Sequence, residues 1–338
     1  MKKRLLAMLM TGAMVASLAA CGGGSSTPAG GDTQKDGGDK SSTTSGCSVD
    51  VILKTTASEY WSYVKAGAEA YSKDNPDVKV EVKGATSETA YDEQQNMIET
   101  DLNSGAYDAF VIAPLQADLV KTLIAGQTAP IVAVDTNIDA PEVLSFVGTG
   151  NEDAAAEGGK AAVEAAKAAG WDKVQAIAIS GVQGDGTATA RLTGYEKGVT
   201  EAGGEFLKDE IQYADAVADK AATSMEAIMQ NHPEGVAIIV CNNDDMALAA
   251  ARTAKDNPNY AKTIFLGFDG QKSAVEAVLN GELTMTAAQN NFDIGYKAVE
   301  TIVKILNGEE YGDVDTGTEI ITKDNAQARL DNFADWLK

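Results

Sequence analysis

The sequence predicts an α/β protein made of two doubly wound parallel-sheet lobes. From Val49 onward, apolar runs of about four to seven residues alternate with amphipathic stretches of about ten to sixteen, the rhythm of βα units. These runs are too many for one comfortable sheet, and GTGNED (148–153) reads as a crossing point between two. No self-similarity at a period of roughly 20–50 residues suggests a solenoid instead.

The elements follow in order. VDVILKTT (49–56) is a buried strand, and the helix after it puts Trp61, Val64, Ala68 and Tyr71 on one face. VKVEVKG (78–84) is a strand, and 90–105 is a helix closed by Gly105. Strands at 108–114 and 129–135 flank a helix at 117–126. SFVGTG (145–150) then leads into an alanine-rich helix over 151–170. The alternation resumes with strands at 173–180, 204–213, 235–241, 262–270 and 283–288, separated by helices at 189–203, 218–233, 244–256 and 271–281.

Composition bounds what such lobes can serve. The 338 residues carry a net charge of −23. Loss of residues 1–20, with Lys2, Lys3 and Arg4, makes the chain three units more negative. That acidity argues against nucleic acid and against electrostatic docking on anionic lipid. Residues 1–20 are three basic residues and then an apolar run ending in small side chains, the layout of a secretory signal too short for a span of about 20 apolar residues. Leu18-Ala19-Ala20-Cys21 resembles the bacterial lipobox, whose cysteine is lipidated and becomes the new N-terminus; an ordinary signal with an incidental Cys21 is the alternative. The linker that follows (21–47) is almost free of apolar residues from 22 to 46, a solvated leash spanning roughly 25–30 Å. Cys241 ends an apolar strand and reads as a small buried residue; a disulfide to Cys47 is the alternative in an exported chain. His232 is the only histidine, and no cysteine–histidine spacing suits zinc, so neither metal nor cofactor is expected.

The strand ends carry the chemistry. Tyr60 and Trp61 follow the first strand, Asp135 the fourth, and Asn242, Asn243 and Asp244 follow AIIVC. Asp269 ends IFLGFD, and Gln289 and Asn290 follow LTMTAA. In open α/β sheets the ligand crevice lies at the carboxyl ends of the strands, so these side chains converge there. Carboxylates and amides match the hydroxyls of a polyhydroxylated ligand, and an aromatic face covers the C–H face of a sugar. Each residue also has a plainer role open to it. Asp135, Asn243 and Asp269 suit caps or turns, Asp244 and Asp153 read as helix caps, and Trp61 alone reads as core. The glycine-containing GTGNED and GDGTAT (184–189) lack a third glycine, and no GK[ST] occurs, so phosphate loops are poorly supported.

Taken together, the motifs resemble the ribose/allose-type sugar-binding proteins of ABC importers, of the type I periplasmic-binding fold, from Val49 to about Asn307. VILKTTASEYWSYVKAGAEA, AFVIAPLQADLV, IVAVDTN, TARLTGY, CNNDDMALAA, FLGFDG and AAQNNFDIG stand in that family's order and spacing. The resemblance implies two lobes joined by three crossovers: 48–149 with 290–317, and 150–289 with 318–338. Hinges near 148–151, 289–290 and 317–318 then close the lobes on a sugar. By motif position Tyr60 and Trp61 form an aromatic clamp, Lys54 matches a lysine of the allose-binding branch, and Asp135 grips hydroxyls. Arg191, Asn243, Asp269 and Gln289 complete the cage. Ser58 replaces the family's usual asparagine, and Thr136 stands where ribose proteins carry arginine and the allose protein an acidic residue. The second aromatic wall falls on Ala216, with Tyr213 nearby, which enlarges the site and favours a hexose or a substituted sugar over a pentose. The tail 316–338 resembles the strand-plus-helix ending of longer members.

The function expected from this is an extracellular, lipid-anchored, monomeric binding protein that delivers a monosaccharide to ABC permease subunits, in a Gram-positive type of bacterium. A receptor for a sugar-like signal or a polyol is the alternative. A glycosidase using Asp135 and Asp269 is a third class, opposed by the lack of any nucleophile–base set around the lone His232. A sugar-sensing repressor would need a DNA-binding module where this chain has a signal and a leash.

Overall fold

The computed structural model describes residues 46–336, so the expected signal, Cys21 and nearly all of the linker lie outside the described residues. The first strand starts earlier than the sequence suggests. In chain order, β1 (Cys47–Thr55), β2 (Val78–Ala85), β3 (Ala109–Ile112), β4 (Ile131–Val134) and β5 (Val143–Gly148) alternate with α1 (Glu59–Asp74), α2 (Tyr91–Ser104) and α3 (Ala117–Leu123). The chain then crosses through α4 (Asn151–Ala168) to β6 (Gln175–Ser180), α5 (Gly186–Glu201), β7 (Glu205–Phe206) and β8 (Gln212–Tyr213). It continues through α6 (Ala218–Asn231), β9 (Ile238–Cys241), α7 (Asp244–Ala254), β10 (Ile264–Asp269), α8 (Lys272–Asn280) and β11 (Met285–Gln289). It ends with α9 (Asn291–Leu306), β12 (Val314–Asp315), β13 (Thr318–Ile321) and α10 (Ala326–Trp336).

Two sheets result. The first has the order β12-β5-β4-β3-β1-β2 and is parallel throughout. The second has the order β13-β11-β10-β9-β6-β7, with β8 also beside β6. Its strands are parallel except for β13, which runs antiparallel to β11 because the chain re-enters this sheet from the crossover at Gly317. β3, β4 and β9 are buried at every position, which is why they read as continuous apolar runs rather than alternating ones.

Helix packing holds each sheet in place. On α5, a Cβ at Gly194 or Gly198 would meet the α4 carbonyl of Glu152 or Ala156 at 2.1 or 2.0 Å, so the two helices touch backbone to backbone. Gly67 and Gly295 do the same where α1 crosses α9. Apolar burial at about 25 cal/mol per Å² then acts over flat contact faces.

Three local expectations change. The run 204–213 is not one strand, because the charged Lys208–Glu210 turn carries the chain out toward solvent between β7 and β8. The cap of α7 is Asn243, whose Oδ1 accepts from Met246 N at 2.9 Å; Asp244 is the first helical residue, fully buried, and accepts from Gln271 N. Asp153 lies in the first turn of α4 behind the N-cap Gly150, where it faces the helix dipole instead of capping. Cys47 and Cys241 are buried free thiols. Among the described residues, no helix is long and apolar enough to cross a membrane.

Candidate functional site

A cavity of about 340 Å³ opens between the carboxyl edges of the two sheets. Each part of its lining follows a strand end. Lys54 and Thr55 close β1, Glu88 follows β2, and Asp135 follows β4. Asp185 and Arg191 follow β6, Asp215–Val217 follow β8, Asn243 and Asp245 follow β9, and Asp269 ends β10.

Several of these residues also shape the backbone. Ser58, Asp185 and Asn243 accept from the first-turn N–H groups of α1, α5 and α7, so the caps that start three helices face the cavity. Among the described residues, the non-glycine residues with positive φ are Asp135, Asp215, Ala216 and Asp269, and all four line this cavity. Such conformations cost on the order of 1–3 kcal/mol each and gather where function over-determines the chain.

Hydrogen bonds fix the polar groups. Tyr60 Oη donates to Asp135 Oδ1 at 2.6 Å, and Thr136 Oγ1 donates to Asp135 Oδ2 at 2.9 Å. Trp61 Nε1 donates to Glu88 Oε1 at 3.0 Å. Arg191 lies over the Phe268 ring, 3.8 Å from its centroid, donates to Asn151 Oδ1 and the Asn242 carbonyl, and sits 3.6 Å from Asp269 Oδ1. Gln289 Nε2 donates to the same Asp269 oxygen at 2.7 Å.

Across the cavity, contacts join one sheet's elements to the other's at Lys54 Nζ to Asp185 Oδ2, 2.9 Å, at the Thr136 and Thr187 hydroxyls, 2.7 Å, and at Ser273 N to Glu59 Oε1, 3.4 Å. Away from it, Tyr63 of α1 packs on Phe333 of α10 with ring centroids 5.0 Å apart.

The charge balance follows from burial. Burial pushes the Asp269 carboxyl up, to about 7, against the opposing pull of Arg191 and the Gln289 amide. Glu88 and Asp245 are also raised, chiefly by burial. Burial likewise holds the Tyr60 phenol far above its ordinary value, reinforced by Asp135, so it remains a donor. Burial lowers Lys54, but Asp185, Asp135 and Glu88 more than reverse this, and Asp185 is depressed because Lys54 and the Ala188 N–H outweigh its own burial. Six carboxylates and two cations thus face one cavity, an arrangement rich in acceptors for hydroxyl donors.

The periplasmic binding protein domain matches residues 49–310, more than three quarters of the chain. The chain belongs to this periplasmic binding protein family. The ribose import binding protein of Escherichia coli is 32% identical over 214 residues, covering 62% of this chain and 69% of that protein. The D-allose-binding periplasmic protein of the same organism is 28% identical over 273 residues, 78% of this chain and 86% of that one. Among solved structures, a carbohydrate transporter solute-binding protein of Agrobacterium radiobacter in complex with D-arabinose superposes with a TM-score of 0.77 at 25% identity, covering 86% of this chain and 99% of that one. The two-lobed fold is that of type I periplasmic binding proteins, which are transport components and not enzymes.

In this periplasmic binding protein, Lys54, Ser58, Tyr60, Trp61, Asp135, Arg191, Asn243 and Asp269 all reach the cavity. Thr136 and Gln289 do not line it. Thr136 stands behind Asp135 and touches Thr187, and Gln289 stands behind Asp269, its Oε1 accepting from Thr149 Oγ1 at 2.7 Å. Trp61 belongs to the core and to the cavity wall at once, with 2% of its surface exposed. Ala216 and Val217 line the cavity, whereas Tyr213 is 43% exposed and outside it. Sequence reasoning missed Glu88, Asp185 and Asp245. The same strand-end rule that found Asp135 points to all three, since each follows β2, β6 or β9.

Proposed function

We propose that this protein captures a neutral monosaccharide, a hexose in preference to a pentose, between its two lobes and hands it to the permease of an ABC importer. One observation carries the reading: aromatic residues Tyr60 and Trp61 and the polar set Asp135, Arg191, Asn243 and Asp269 converge from both sheets on one cavity. Hydrogen bonds to charged groups are worth about 1.5–3 kcal/mol each, so four or five offset the cost of immobilising a small polyol. The sugar ligands of the ribose, allose and arabinose relatives support the substrate class. The hexose preference rests on the small residues Ala216 and Val217, which leave room where an aromatic side chain would shorten the site.

The protein works outside the membrane, tethered by a lipid on Cys21 and a leash up to the first strand, and acts as a monomer in a Gram-positive type of cell. The Leu18–Cys21 motif and the Gly/Ser-rich segment after it support that part. A thermal-shift panel of D-allose, D-glucose, D-ribose, D-arabinose and myo-inositol tests the ligand reading. A ligand at 100 times its Kd adds about 2.7 kcal/mol to stability. A hexose giving the largest shift is the expected result, myo-inositol alone would favour a polyol receptor, and no shift with any of them would overturn the proposal.

A further inference from the structure

The C-terminal helix α10 carries an arginine that neither touches the cavity nor reaches solvent. Arg329 is 5% exposed. Its Nη2 donates to the Gln289 carbonyl and, at 3.1 Å, to Asn291 Oδ1, while Nη1 reaches Asn290 Oδ1 at 3.4 Å. The guanidinium stacks over Trp336, 4.7 Å from its ring, and over Phe333 at 5.4 Å. Among the described residues it has no carboxylate in salt-bridge contact; three oxygens and two aromatic faces meet the buried cation, and its Nε has no hydrogen-bond partner.

The three residues it grips are the crossover from β11 to α9. Gln289 is the last residue of β11 in the second sheet, and Asn290 and Asn291 open a helix that packs on the first. Both ends of this segment lead to Asp269. Gln289 Nε2 donates to Asp269 Oδ1, and Asn291 Nδ2 donates to the Asp269 carbonyl at 3.2 Å. The segment is also stitched to the other two crossovers. Thr149 Oγ1 donates to Gln289 Oε1, and Asn290 Nδ2 donates to the Thr316 carbonyl at 2.6 Å. A Cβ on Gly270, next to Asp269, would sit 3.5 Å from Arg329 Nη2, so the guanidinium lies directly beneath the Asp269 turn.

We propose that Arg329 is a positioning residue for ligand capture: it fixes the β11–α9 crossover and, through Gln289 and Asn291, holds Asp269 where a ligand hydroxyl meets it. This rests on the sugar-binding reading for the ligand, but not for the crossover. Only a guanidinium spans the three oxygens with a planar fork; an ammonium at the same place is a single point donor.

The test pairs Arg329→Met with Arg329→Lys. Hydrogen exchange of residues 287–293 is followed in the ligand-free protein, and D-allose binding is measured by calorimetry well below each melting temperature. The expected result for Arg329→Met is exchange at 287–293 faster by tenfold or more and D-allose affinity weaker by tenfold or more, with Arg329→Lys between the two. Faster exchange confined to α10 and α8, with affinity within twofold of the parent, would overturn the proposal and leave Arg329 as packing alone. If Arg329→Met does not fold, the same two readouts on Arg329→Lys decide the matter. If the parent protein does not bind D-allose, the sugar with the largest thermal shift takes its place, the hexose reading fails if no hexose shifts the protein, and exchange at 287–293 still decides the role of Arg329.

Discussion

Lys54 and Asp185 form an ion pair of 2.9 Å whose partners come from different sheets, one from the end of β1 and one from the cap of α5. Asp185 performs two tasks, since its other oxygen accepts from Ala188 N at 2.8 Å. The pair joins the two lobes, so on the proposed closure mechanism it contributes to closure rather than to either lobe's own folding. Removing one partner of a buried charged pair costs about 2–5 kcal/mol. Lys54→Met is therefore expected to weaken ligand affinity at least tenfold while leaving the melting temperature of the ligand-free protein nearly unchanged. Calorimetry beside a thermal melt checks both halves.

The same pair fixes a pH window. Asp185 is depressed below its ordinary 3.8, so its contribution is present above that value and is lost as pH falls through the depressed one. Lys54 is raised above 10.5, so its contribution is present below that value and is lost only as pH rises beyond it. Between about pH 5 and 9 the pair stays charged, and a steep loss of affinity there would have to come from another group.

Asp269 is the candidate for such a group. Burial raises its carboxyl from 3.8 to about 7, which favours the protonated form in the ligand-free protein. Its effect on stability is therefore greatest below about pH 4 and declines as pH rises to about 7. Asp269→Ala is expected to weaken ligand binding by about 2 kcal/mol or more, roughly 30-fold in Kd. Asp269→Asn should flatten the pH dependence of affinity between about 5 and 8. Unchanged affinity in a folded Asp269→Ala protein would leave this residue as a turn former, in keeping with its φ of 116°.

Away from the cleft, Asp50 sits fully buried on β1, 3.3 Å from Lys83 Nζ. Burial raises its carboxyl to about 7, with Lys83 opposing and Asp101 adding to the rise. Lys83 keeps Asp101 at 2.8 Å as a partner without it. Asp50→Asn should accordingly raise the melting temperature at pH 8 by a few degrees and reduce its fall between pH 5 and 8. A lower melting temperature at pH 8 would mean that the Asp50–Lys83 pair is net stabilising as an ion pair.

The anchor has a separate test. Cys21→Ser should release the protein into the medium, because acyl chains on that residue are the proposed membrane attachment. Protein that stays with the membrane after a salt wash would contradict the tether.

How much of this was legible in the sequence depended on whether the cause was local. Apolar runs such as FVIAP and IIVC declare buried parallel strands by themselves, and polar residues after them declare the cleft. Asn243 looked like either a cap or a ligand group, and the structure shows the capping side chain in the cavity lining. Thr136 follows the cavity residue Asp135, and Gln289 ends the strand beside the one that ends in Asp269, yet both side chains stand behind the acids they hold. The Lys54–Asp185 and Thr136–Thr187 contacts join residues 131 and 51 positions apart across two lobes, which no local spacing encodes. Arg329 was hidden for the same reason: an arginine in an amphipathic tail looks like solvent-facing charge until α10 docks beneath the crossover.

The proposed size preference has a direct check at Ala216, which holds a φ of 60° in the cavity lining. Ala216→Phe should fill part of the cavity and move selectivity from hexoses toward pentoses, read as the ratio of the D-allose and D-ribose affinities. An unchanged ratio would show that this wall does not set ligand size.

The central claim is that ligand binding closes two lobes on one molecule, with Asp135 on one side and Arg191, Asn243 and Asp269 on the other. Closure is then a population shift driven by the ligand's greater affinity for the closed state. Small-angle X-ray scattering with and without saturating ligand, the ligand being the sugar that gives the largest thermal shift, tests this most directly. The account expects a smaller radius of gyration with ligand, and expects Asp135→Ala to lose most of that contraction. A tightly bound sugar that leaves the scattering curve unchanged in the parent protein would contradict it.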